Sequence, residues 1–156
     1  MKKLIIYVLI AIFMMTLISS CGDSSQKKIY DDDALIVQKG ENFNMKEYSM
    51  GEVDIGHSFS MSGFIGIKTI YTLNAKADST VSMDYDSSTY SGKFKCVYVD
   101  ANNTLKMIVE QDGSGKLTLT VPKGENSIKI VGVNAEFDLT TNVQNSDGNV
   151  EITYIN

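Results

Sequence analysis

The sequence predicts an all-β fold: a single antiparallel β-sandwich domain of about nine short strands. Three observations carry this. From Ala34 onward the apolar residues recur with period two or in short runs. Turn-forming residues interrupt them at intervals near ten residues, and the runs are rich in Thr, Val, Ile and Tyr. No sustained helical stripe follows residue 33, so a βα architecture lacks the amphipathic helices it would need.

The elements follow in order. Ala34–Val37 is an apolar opening run, and Phe43, Met45 and Glu47 mark a weak alternating strand. Phe59 and Met61 precede Gly63, after which Ile65, Ile67, Thr69, Tyr71 and Leu73 alternate as one face. Val81, Met83 and Tyr85 form the next strand, ended by Asp86-Ser87-Ser88. Phe94–Val99 then runs to the turn at Asp100-Ala101-Asn102-Asn103. Leu105–Val109 closes at Asp112-Gly113-Ser114-Gly115. Leu117, Leu119 and Val121 lead to Pro122-Lys123-Gly124, and Ile128 and Ile130 to Gly132. Phe137 and Leu139 follow, then Val150, Ile152 and Tyr154. Alternation of this kind implies sheets with one buried and one wet face.

The N-terminus carries a different signal. Met1-Lys2-Lys3 is a short positive segment, and Leu4 to Ile18 is a run without charge. That run has the length of a signal-peptide core and falls short of the ~20 residues a spanning helix needs. It ends in Ile18-Ser19-Ser20-Cys21, which resembles the lipobox of bacterial lipoproteins: an aliphatic residue, two small residues, then the cysteine that is modified. The resemblance implies a signal peptide over 1–20, a diacylglyceryl group on Cys21, cleavage after Ser20, and a chain held by lipid at the extracytoplasmic face of a cell membrane or envelope. Several acyl chains on one residue, at ~0.8 kcal/mol per buried CH₂, give durable anchoring. Residues 22–33 (GDSSQKKIYDDD) read as a polar tether of at most ~40 Å, and 34–156 as the sandwich domain.

Composition narrows the function. All 14 basic residues are Lys and the formal charge is −5. Without Arg, and with acid in excess, the chain lacks the footprint of a nucleic-acid binder. Loss of residues 1–20 would leave 12 Lys against 19 acids, a side-chain charge of −7, so the domain should stand off an anionic bilayer.

Candidate sites are sparse. His57 is the only histidine, and Gly56-His57-Ser58 is not a hydrolase elbow, so a turn or strand-edge role is expected. One His and one spare Cys cannot supply a structural zinc set. Asp84 and Asp86 share a strand face and would need loop carbonyls to hold calcium; a solvated face is the simpler reading. Asp100, Asn102 and Asn103 lack the rest of a calcium loop and read as turn formers, and Asp31-Asp32-Asp33 as a solvated spacer. Cys96, on the face of Phe94 and Tyr98, reads as a small core residue, with Lys93 and Lys95 opposite. Tyr85 and Tyr98 fall among apolar neighbours by strand parity, so only Tyr90 is left as a free aromatic ring. No catalytic, cofactor or metal residues are assigned.

Residues 91–140 add a fold-level likeness. Strand, Asp-Asn turn, strand, Gly-Ser turn, strand and then VPKGENSIKIVG resembles the closing part of jelly-roll sandwiches in bacterial surface proteins. The expectation is therefore a jelly-roll-like, non-enzymatic lipoprotein with a structural or interaction role. The alternative is an accessory module binding glycan or another exported solute, and a hydrolase ranks third.

Overall fold

Three strands carry the architecture, and each is far longer than the turn signals suggested. The computed structural model describes residues 26–145 and 148–155. After a single helical turn over residues 26–29 comes the short helix α1 (Asp33–Ile36), then β1 (Asn42–Asn44), β2 (Glu47–Val53), β3 (Gly56–Ala75), β4 (Ser79–Val99), β5 (Leu105–Glu110), β6 (Gly113–Val121), β7 (Gly124–Asn145) and β8 (Val150–Tyr154). All eight strands belong to one antiparallel sheet. Its spine is β3–β7–β4; β2, β1 and β8 line the outer edge of β3, and β6 and β5 that of β4. The expected all-β antiparallel class is what the chain adopts. About nine short strands become eight, three of them 20, 21 and 22 residues long.

The sheet is bent back on itself. His57 and Tyr71 lie 14 residues apart on β3, which a straight strand would separate by ~46 Å. Their side chains meet at 2.9 Å. The Tyr98 hydroxyl of β4 likewise donates to the Thr120 carbonyl of β6 at 2.9 Å, although β6 pairs with the opposite end of β4.

The bend is made by bulges, which add an unpaired residue and turn the strand. Register shifts fall between Met61 and Gly66 on β3 and between Thr89 and Lys93 on β4. Gly92 sits at φ +73°, where a Cβ would strike the Asn134 carbonyl of β7, itself in the left-handed region at φ 50°. The residues that read as strand ends, Gly63, Ser87-Ser88 and Gly132, thus lie inside continuous strands.

A further bulge between Thr69 and Tyr71 corrects the single face assigned to Ile65 through Leu73. Ile67 points outward, whereas Tyr71 and Leu73 point into the main core. That core lies within the fold of the sheet and includes Phe59, Met61, Phe64, Leu73, Met83, Phe94, Cys96, Leu119, Ile128 and Phe137. Phe94 and Phe137 stack with ring centroids 4.0 Å apart.

A second apolar cluster lies outside the bend. Ile29, Tyr30 and Ile36 pack on Ile67, Val97, Val99 and Val131. Residues 26–33, expected to be tether, therefore belong in large part to the folded domain. Asp32 caps α1, its Oδ1 accepting from the amides of Ala34 at 3.0 Å and Leu35 at 3.4 Å. At the other end of α1 the buried Lys129 donates through Nζ to the carbonyls of Ile36 at 3.0 Å and Gln38 at 2.7 Å. Burial lowers the Lys129 pKa, while Glu41 opposes that shift. Tyr30 fixes the middle of this strap: its hydroxyl donates to Glu110 at 2.8 Å, and Lys95 lies over its ring at 4.7 Å.

Candidate functional site

Three places invite a functional reading: the histidine, the open sheet face around Tyr90, and the N-terminal strap. Cys21, with the rest of residues 1–25, lies outside the described residues.

His57 is not at a turn tip; it is in β3, paired with Glu52 of β2 and Thr141 of β7. Its Nδ1 meets the Tyr71 hydroxyl at 2.9 Å, and that hydroxyl meets Thr141 Oγ1 at 2.8 Å. Its ring stacks on Tyr154 with centroids 3.9 Å apart. Burial raises Tyr71 to about 12, and burial together with the neighbouring Tyr48 hydroxyl raises Tyr154 further. Both phenols are neutral at physiological pH. Tyr71 then serves as a hydroxyl relay holding histidine and threonine together, and among the described residues no carboxylate hydrogen-bonds to His57 to orient it as the base of a triad. No local pattern marks the cluster, because its members meet only through the bend.

Asp84 and Asp100 are engaged otherwise. Asp84 pairs with Lys116 across strands at 3.3 Å. Asp100 Oδ1 accepts from the amides of Asn102 at 2.8 Å and Thr104 at 2.7 Å, an Asx turn. Among the described residues no group of three or more His, Cys, Asp or Glu is placed to hold a metal ion.

Cys96 and the tyrosines lie where parity put them. Cys96 is fully buried in the main core, where desolvation raises its thiol pKa. Tyr85 packs on the core, and Tyr98 is buried and bonded to Asn126. Tyr90 is 64% exposed.

Tyr90 overlooks a groove of about 340 Å³ lined in part by Tyr48, Ser60, Glu136 and Asp138. Its hydroxyl donates to Asp138 Oδ2 at 2.7 Å, which raises its pKa. The floor is the outer face of the N-terminal half of β3 and the C-terminal half of β7. On β7, Glu136, Asp138 and Thr140 are exposed while Ala135, Phe137 and Leu139 are buried. The result is an open polar surface rich in hydroxyls and carboxylates.

No protein-family model matches the chain, and no curated protein matches it. Function therefore rests on the residues themselves.

Proposed function

We propose that the chain is an exported lipoprotein, anchored through lipid on Cys21, whose β domain has a non-enzymatic structural or interaction role at the extracytoplasmic face of a membrane or envelope. The observation that carries this is the N-terminal order: Lys2-Lys3, the uncharged run Leu4 to Ile18, then Ile18-Ser19-Ser20-Cys21. The docked strap is compatible with it: Gln26, five residues past the proposed acceptor, is already held to Asn42 on the domain. The closed hydroxyl relay at His57 favours a structural role over a hydrolytic one.

The test is metabolic labelling with a clickable fatty acid. Wild type should incorporate label, whereas Cys21→Ala should stay unlabelled and accumulate as precursor. Equal incorporation in both would remove the proposal.

The groove under Tyr90 favours one second reading, an accessory module for glycan or another exported solute. An exposed ring offers a stacking surface, and the surrounding Ser, Glu and Asp offer hydrogen bonds to hydroxyls. Titration of oligosaccharides against the soluble domain, followed by Tyr fluorescence, should show saturable binding lost in Tyr90→Ala. Identical titrations for the two proteins would remove this reading.

A further inference from the structure

We infer that the strap side of the domain faces the lipid surface and the open Ser/Thr/Asp face is turned away from it, an orientation imposed by the short maximum reach from Cys21 to the docked Gln26. This rests on the proposed lipidation of Cys21. It revises the distance expected from sequence. A polar tether reaching to residue 33 would let the domain stand up to ~40 Å off the bilayer in any attitude.

The strap removes most of that freedom. Gln26 is buried, and its Nε2 donates to Asn42 Oδ1 at 2.9 Å, so the two ends of the 26–42 loop meet beside β1. Between them, Ile29, Tyr30 and Ile36 are held on the outer face of β3, β7 and β4. From Cys21 to Gln26 there are only five Cα–Cα steps, which reach at most ~18 Å fully extended. The anchored cysteine thus starts from the strap side, close to the edge where β1 pairs with β3.

The open face belongs to the other limb of the bend. Thr140, Asp138 and Glu136 of β7 and Asp86 of β4 project outward from it, with the main core between them and the strap-bearing limb. Packed sheet layers lie ~10 Å apart, before the side chains and the strap are added. A lipid surface reached through so short a linker therefore contacts strap residues first. Lys27 and Lys28, exposed and nearest the anchor, suit anionic headgroups, while Asp31, Asp32 and Asp33 on the same strap oppose them. The covalent linker, more than charge, fixes the attitude.

The test uses the full, processed lipoprotein reconstituted into vesicles of phosphatidylglycerol and phosphatidylethanolamine carrying a headgroup-attached quencher. Ala34→Cys on the strap and Thr140→Cys on the open face, both exposed, receive the same fluorophore; Lys28→Cys and Thr118→Cys form a second pair. The buried Cys96 should stay unlabelled. Intact mass reports the acyl groups on Cys21. With Cys21 acylated, the strap label should be quenched several-fold more than the open-face label in both pairs. A twelve-residue Gly/Ser insertion after Asp23 should bring the ratio towards one. Equal quenching in acylated protein without the insertion overturns the orientation and leaves the anchor standing. Protein that carries no acyl mass and does not float with vesicles overturns both.

Discussion

The two limbs of the bent sheet are built from the same three strands yet have opposite outer faces. In the limb formed by the end of β4 and the start of β7, burial is continuous: Phe94 to Val99 and Ile128 to Gly132 are all buried. In the other limb it alternates, as Ala135, Phe137 and Leu139 show against Glu136, Asp138 and Thr140. The strap causes the difference. It covers Ile67, Val97, Val99 and Val131, which would otherwise form an exposed apolar patch. A sheet covered on both faces reads as a continuous apolar run, whereas a half-covered one alternates. The strap thus stabilises the limb that it covers, while the outer face of the other limb stays exposed to solvent.

The sharpest way to break this contrast is to remove the strap. A soluble chain beginning at Gln38 should lose several kcal/mol or aggregate, whereas one beginning at Gln26 should unfold cooperatively in urea. Equal midpoints would mean that the strap contributes nothing. Within the strap, Ile36 is fully buried, and Ile36→Ala should cost about 2–5 kcal/mol by chemical denaturation.

Alkaline titration probes the interior on both sides of the sheet. Tyr30 on the strap and Tyr71, Tyr98 and Tyr154 inside the bend all have raised folded-state pKa values, chiefly through burial. The unfolded chain ionises first, near the ordinary phenol value of 10.0, so these groups support folding below that pH and withdraw support as pH rises past it. Cys96 acts the same way from 9.0 upward. Lys129, lowered by burial, works in the opposite direction towards 10.5, one group against several. Stability followed by circular dichroism should therefore hold to about pH 9 and fall above pH 10. A flat profile through pH 11 would show the phenols to be exposed.

Smaller effects sharpen the picture. Cys96→Ser should destabilise by roughly 1–3 kcal/mol, since it buries a hydroxyl without an assured partner, and the native thiol should label only slowly. Fast labelling of the native protein would show that its face is open. On the open face, Tyr90→Ala and Thr140→Ala should each fall within about 0.5 kcal/mol of wild type.

Much of this is legible in the sequence. Period-two patterning gave the all-β class, and parity placed Cys96 and Tyr98 inside and Tyr90 outside. Asp100 and Asn102 behave as the turn formers they were read to be. The long strands were hidden because Gly63 and Gly132 serve bends as readily as ends. The His57–Tyr71 contact depends on that bend and has no local signature. The strap was missed because Ile29, Tyr30 and Ile36 are scattered among Lys and Asp over too short a stretch to show a period. A clue was nevertheless present: Val97, Val99 and Val131 add apolar residues on the parity opposite Phe94, Cys96 and Ile130, which calls for a cover on that face.

The central claim is that residues 26–37 are part of the domain and not a leash. Trypsin acting on the native soluble chain from Gln26 tests this at the Lys28–Ile29 bond, whose lysine is exposed and whose isoleucine is buried. Cleavage there should be slow and should accelerate with urea in step with global unfolding. Rapid cleavage at the rate of an unstructured peptide, with the remaining sheet intact and equally stable, would contradict the account.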